Sequence, residues 1–182
     1  LIADAIKADA KATIAGLKAR GIRTIMLTGD SRAVGEAVAK EIGIDEVHAE
    51  LLPQDKVTKL EEVLASKRKG EKVIFVGDGI NDTPVLARSD IGMAMGGLGS
   101  DAAIEAADIV IMDDQPSKIL TAMDVAKETR KIVWQNIIFA MAVKGVFLIL
   151  GAFGVATMWE AVFADVGVTV LAVLNSIHIL KK

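Results

Sequence analysis

Residues 73–82 read Val-Ile-Phe-Val-Gly-Asp-Gly-Ile-Asn-Asp. Four apolar residues, three of them β-branched, form a short run with no polar alternation, as expected of a strand covered on both faces. Gly77 and Gly79 then allow a sharp bend at the strand's carboxyl end. The same grammar recurs on both sides. Thr24 to Leu27 is a second apolar run, stopping at Thr28-Gly29-Asp30, and Ile91 to Met95 and Ile109 to Met112 are two more. Helical patterns lie between them: Asp9 to Arg20, closed by Gly21; Arg32 to Ile42, which Ser31 can cap and Gly43 closes; Pro53 to Lys69; and Ser100 to Ala107. Short buried strands alternating with amphipathic helices predict an α/β fold of Rossmann type around a parallel sheet.

The remainder of the chain has a different character. Of 182 residues, 52% are hydrophobic and 25% charged, yet only Lys144, Glu160 and Asp165 carry charge between Ile132 and Leu180. Ile137 to Phe153 and Ala161 to Leu180 each approach the ~20 apolar residues that cross a hydrocarbon core of about 30 Å. Lys127, Arg130 and Lys131 precede the first segment, and Lys181 and Lys182 follow the second, whereas the link between them has no Lys or Arg. The positive-inside tendency puts both ends, and the polar part, on the cytoplasmic side of a multi-pass membrane protein. Trp134 and Trp159 stand at interfacial positions. The organisation is therefore read as a globular segment over 1–131 and two transmembrane helices over 132–182.

Several classes are excluded by composition. Zero cysteines leave no disulfide framework or thiolate metal site within this chain. Residues 1–131 carry 18 basic and 22 acidic side chains, and aromatics make up 4% of the chain, so there is no basic stripe or stacking platform for nucleic acid. His48 and His178 lack ligand spacing, and Met93, Met95 and Met112 fit strand-core packing.

Ligands in doubly wound sheets meet the carboxyl ends of strands. Asp78 and Asp82, four apart in a Gly-bent loop, can turn two carboxylates toward one hard cation. Mg²⁺ suits such a pair, since it takes one or two carboxylates and completes its octahedron with water and phosphate. Thr28, Gly29 and Asp30 can hold a phosphoryl oxygen, although turn chemistry explains the trio equally well. Lys56, in Leu51-Leu52-Pro53-Gln54-Asp55-Lys56, brings an ammonium toward the same edge.

Within the apolar segments, Lys144 and Asp165 are 21 residues apart with their midpoint between Gly154 and Val155. If the hairpin turns there, both lie about 15 Å from the tip at ~1.5 Å per residue, at one depth, where opposite charges can pair. An ionisable group in a membrane span is a functional candidate because burying it alone is costly. A purely structural ion pair is the alternative.

Together, Thr-Gly-Asp at 28–30, the segment ending in Lys56 and Gly-Asp-Gly-Ile-Asn-Asp at 77–82 resemble, in order and spacing, the phosphorylation domain of the P-type ATPases, a haloacid-dehalogenase-like fold. The resemblance implies that Thr28, Gly29 and Asp30 help bind and dephosphorylate an aspartyl phosphate. It implies that Lys56 contacts the phosphate, Asp78 coordinates Mg²⁺, and Asn81 and Asp82 complete the site. The family's nucleophilic Asp-Lys-Thr-Gly-Thr motif is absent, and so are its actuator and nucleotide-binding domains, so this stretch alone is expected not to form a phosphoenzyme. Ser31 replaces the Asn common after Thr-Gly-Asp, and Thr83 the Ala common after Gly-Ile-Asn-Asp; neither removes a ligand.

The last two helices look like those of the zinc/cadmium/lead-exporting heavy-metal class. There an Asp in a D-x-G pattern, matched by Asp165-Val166-Gly167, ligates the transported ion, and a Lys, matched by Lys144, is its built-in counter-ion. Cys ligands in those pumps lie on an earlier helix, outside this chain. The resemblance thus implies Mg²⁺ and ATP as cofactors of the parent, Zn²⁺ or Cd²⁺ as cargo, and the rest of the pump and the lipid bilayer of the plasma membrane as partners. Another cation pump of the family, or a membrane-anchored phosphatase of the same fold, are the alternatives.

Overall fold

The computed structural model describes residues 6–77, 80–96, 101–113, 115–155, 157–177 and 179. It divides into two compact units, Leu1–Leu120 and Thr121–Lys182.

The first unit alternates helices and short strands: α1 (Ala10–Ala19), β1 (Ile25–Leu27), α2 (Arg32–Ile42), β2 (Glu46–His48), α3 (Pro53–Ser66), β3 (Ile74–Gly77), α4 (Thr83–Leu86), β4 (Ile91–Met95), α5 (Asp101–Ala106) and β5 (Ile109–Ile111). All strand pairs are parallel, but the ladders form two groups among the described residues, β1-β2 and β3-β4-β5. The sequence pattern anticipates four of these strands and misses β2. Glu46-Val47-His48 has one apolar residue, because this half-buried strand pairs with β1 alone.

Three other readings need correction. Ser31 precedes α2 without a side-chain cap; the helix's first amide, Arg32 N, donates to the Glu50 carboxylate at 3.3 Å. The helix from Pro53 stops at Ser66, not Lys69, because Lys67 turns extended and its ammonium reaches Asp90 at 2.5 Å. Met112 is 69% exposed rather than packed in the core, since β5 ends one residue earlier. Met93 and Met95, on β4, are buried.

The core forms around β4, flanked by β3 and β5 and covered by α4. Val85, Leu86, Met93, Ala94 and Ala103 are almost completely buried. Each large side chain here contributes about 1.5–3 kcal/mol through lost apolar exposure. Gly92 is required by the close approach of α4: a Cβ there would stand 2.8 Å from the Leu86 carbonyl oxygen.

Register at the strands' amino ends is fixed by a recurring device. Asp45, Asp90 and Asp108 each immediately precede a strand, and each accepts a backbone N–H from the start of the neighbouring one. Asp45 accepts from Thr24 N at 2.9 Å, Asp90 from Val73 N at 2.9 Å and Asp108 from Gly92 N at 2.9 Å. Asp45 also pairs with Lys18 at 2.7 Å, and Asp90 with Lys67 at 2.5 Å and Lys72 at 3.3 Å. These partners favour the charged carboxyl. The Lys18 bond, followed by the Thr24 bonds, lowers the Asp45 pKa to about 2. The Lys67 bond, followed by the Val73 amide, holds Asp90 well below the usual carboxylate range.

The second unit contains most of α6 (Lys118–Ala152, 35 residues) and α7 (Met158–Ile177, 20 residues). Both are long and apolar enough to cross a membrane, and their apolar side chains are largely exposed. At ~1.5 Å per residue, a 20-residue helix spans about 30 Å. The first helix closes at Gly154, whose φ of 70° lies in the left-handed region, with Val155 N donating to Leu150 O at 2.9 Å. Glu160 then accepts from Thr157 N at 2.8 Å, at the opening of α7.

Because the folded-state pKa values of Asp45 and Asp90 are depressed, the stability they supply is fully present above the unfolded carboxylate value of about 3.9. It is lost as pH falls from there through the folded values. Asp45→Asn and Asp90→Asn should therefore lower the thermal unfolding midpoint of the first unit by several degrees at pH 7. Melts followed by circular dichroism in detergent should show this difference shrinking as pH approaches 2.

Candidate functional site

The turn after β1 is tied to itself and to the chain that follows β2. Thr28 N extends the ladder by donating to His48 O at 2.9 Å. The Thr28 hydroxyl donates to Asp30 Oδ2 at 2.8 Å and accepts from Asp30 N at 3.1 Å, closing a small ring. Glu50 N donates to Asp30 O at 2.9 Å and Leu51 N to Thr28 O at 3.1 Å, laying residues 50–51 along the turn. Gly29 makes this possible, since a Cβ there would stand 3.3 Å from Leu51 O. Glu50 takes a φ of 60°, a costly conformation for a side chain of this size. Its carboxylate reaches the amide of Arg32. Sequence reasoning missed this residue; a charged side chain between strand and helix gave no signal.

This strap leads directly into α3. Asp55 accepts from Leu52 N at 3.0 Å while Pro53 opens the helix, which places Lys56 on the first turn. Lys56 Nζ donates to Asp82 Oδ1 at 2.8 Å, with both side chains mostly buried. The ammonium from one motif thus meets a carboxylate from another, 26 residues away.

Asp82 ends a single 3₁₀ turn over Ile80–Asp82 and precedes α4. Gly77 is close beneath it: a Cβ there would lie 2.9 Å from Asp82 Cβ and 3.1 Å from Asp82 Oδ2. Asn81 is exposed. Asp78 lies outside the described residues. The Thr83 hydroxyl is buried without a hydrogen-bond partner. Leaving such a group unmet costs about 1–3 kcal/mol.

The donors here fit Mg²⁺. Among the described residues no three His, Cys, Asp or Glu side chains cluster as a complete protein cage. Mg²⁺ needs no such cage, because water and phosphate supply most of its ligands. Asp82 offers hard oxygen, one atom of which is held by Lys56, and Gly77 keeps side-chain bulk away from the other. His48 is engaged elsewhere, its Nε2 2.7 Å from Glu46 Oε1. His178 lies outside the described residues.

In the second unit, Lys144 Nζ lies 3.0 Å from Asp165 Oδ1. The pair opens onto a groove of about 680 Å³, whose lining includes Asn136, Thr169, Ala172 and Ser176. Its two side chains are 57% and 58% exposed in this stretch of chain.

Comparison with known proteins agrees with these features. A family described as haloacid dehalogenase-like hydrolase matches residues 1–90. The chain is 67% identical over all 182 residues to a cadmium, zinc and cobalt-transporting ATPase of Bacillus subtilis, covering 26% of that protein. It is 57% identical, again over 182 residues, to a zinc-transporting ATPase of Synechocystis, covering 25% of it. The crystal structure of a zinc-transporting PIB-type ATPase in its E2.Pi state superimposes with a TM-score of 0.88 at 37% identity, over 97% of this chain and 28% of that one. The first unit is therefore a haloacid-dehalogenase-like domain. The chain belongs to the P-type ATPases, in their heavy-metal-transporting class, and spans about a quarter of the length of the curated relatives it matches.

The packing under Asp82 gives a direct test. Gly77→Ala forces Asp82 away from Lys56, and overpacking of this kind costs about 1–3 kcal/mol. A lowered unfolding midpoint, together with a weaker stabilising effect of added Mg²⁺ on the same melt, is the expected result.

Proposed function

We propose that this chain is part of an ATP-driven exporter of divalent heavy-metal ions, Zn²⁺, Cd²⁺ or Pb²⁺, that works through an aspartyl phosphate. The nucleophilic aspartate and the nucleotide-binding and actuator domains belong to the rest of the pump. The names carried by the relatives, which are cadmium-, zinc- and cobalt-transporting ATPases, support this cargo class.

In the first unit, Thr28, Gly29 and Asp30 receive the phosphoryl group, with the hydroxyl and the turn amides as donors. Lys56 already holds its ammonium against Asp82, and an arriving phosphate offers it a second anion. Asp78 and Asp82, with Asn81 beside them, would hold Mg²⁺, which when bound offsets charge on the transferring group. In the second unit, Asp165 ligates the transported ion. Lys144 is the charge that takes the ion's place when it leaves. The two apolar helices cross the plasma membrane with both ends in the cytoplasm, as the lysines flanking them suggest. Other helices of the pump cover the exposed side of the pair.

The observation that carries this reading is the 3.0 Å contact of Lys144 with Asp165 in a stretch, Ile132 to Leu180, whose one other charged side chain is Glu160. In the full-length pump, Asp165→Ala should reduce zinc-stimulated ATP hydrolysis at least ten-fold. Stimulation at the level of the unaltered pump would remove Asp165 from the ion site.

A further inference from the structure

A second polar cluster joins α6 and α7, and the reading above assigns it nothing. Asn136 Nδ2 donates to Ala172 O at 3.2 Å and to Ser176 Oγ at 3.1 Å. Asn136 Oδ1 accepts from Asn175 Nδ2 at 2.9 Å, and Ser176 Oγ donates to Ala172 O at 2.9 Å. One amide therefore bonds to three groups of the opposite helix, with both donor and acceptor in use.

The placement matters more than the number of bonds. Asn136 lies eight residues before Lys144 on α6, and Ala172 lies seven residues after Asp165 on α7. In an antiparallel hairpin, nearly equal steps along the two helices arrive at the same level, so the clasp and the ion pair belong to one register. Both also line one groove. Asn136, Ala140 and Lys144 recur at four-residue spacing, as do Asp165 and Thr169, with Ala172 and Ser176 continuing that stripe. Most other residues of the two helices are Val, Ile, Leu, Phe and Ala, whose contacts in hydrocarbon have little directional preference. Lys144 cannot set the register alone, because its four-carbon stem reaches a carboxylate from several helix positions. A slip of one residue would rotate a helix face by about 100° and move it ~1.5 Å along the axis.

We infer that Asn136, through its clasp on Ala172, Asn175 and Ser176, is a positioning residue that fixes the register of α6 against α7 and so presents Lys144 to Asp165. It touches no reacting atom. The effect on ion affinity rests on the reading of Asp165 as a ligand; the effect on register does not.

The test uses the full-length pump in lipid vesicles with paired cysteines, Ala140→Cys and Thr169→Cys, one level from the ion pair. The hairpin has no cysteine of its own. Asn136→Leu should cut disulfide formation between them several-fold. Without the cysteines, the same substitution should raise the half-saturating zinc concentration about ten-fold, more than it lowers the maximal rate. Asn175→Leu, which removes one bond of the clasp and is the milder change, should raise it about three-fold. Asn136→Gln should recover part of the loss. Disulfide yield unchanged in both leucine variants overturns the inference, whatever Asp165→Ala does. A reduced yield with full zinc stimulation in Asp165→Ala supports the register clasp and overturns only the ligand role of Asp165.

Discussion

A charge taken into hydrocarbon has to find an opposite charge or leave, and this requirement shapes the hairpin. Between Ile132 and Leu180 only three side chains are charged; Glu160 is used at the start of α7, and the other two meet each other at 3.0 Å. A lone carboxylate or ammonium there would cost several kcal/mol. The pair is tolerable because each member neutralises the other, and that same neutrality makes it exchangeable. Under the proposed function, a divalent cation at the carboxylate would displace the ammonium, which would return when the cation leaves. One side of the pair is exposed in this stretch of chain, which spans about a quarter of the curated relatives' length.

The first unit answers the same requirement in water-accessible surroundings. Lys56 and Asp82 come from separate motifs and meet above Gly77, a residue with no side chain to obstruct them. The bonds from Thr28 and Asp30 to residues 50–51, and the short step from there to Lys56, connect the turn after β1 to this pair. Under the proposed function, phosphoryl binding at one would therefore bear on the other through backbone hydrogen bonds and one helix turn. At the opposite ends of the strands, Asp45, Asp90 and Asp108 hold the neighbouring strands in register, which keeps the edge with Thr28 and Asp82 free of that task.

Much of this was legible in the residues, for definable reasons. The strands at 25–27, 74–77, 91–95 and 109–111 are apolar runs and announce themselves. The strand at 46–48 does not, because two of its three residues are polar. Spacing about Gly154 was enough to bring Lys144 to Asp165, since helix rise is constant and the loop is short. What escaped notice were polar residues acting through the backbone. Nothing in the immediately neighbouring sequence singles out Asp45, Asp90, Asp108, Glu50 or Asn136. Their partners lie across the fold, 16 to 40 residues away, where no local pattern reaches. The four-residue spacing of Asn136, Ala140 and Lys144 was the available signal for the last of these.

The most direct examination of the ion site is the zinc K-edge X-ray absorption spectrum of the full-length pump loaded with one equivalent of zinc. The account predicts an oxygen ligand at about 2.0–2.2 Å that disappears in Asp165→Asn. A first coordination sphere identical in the two proteins would contradict it.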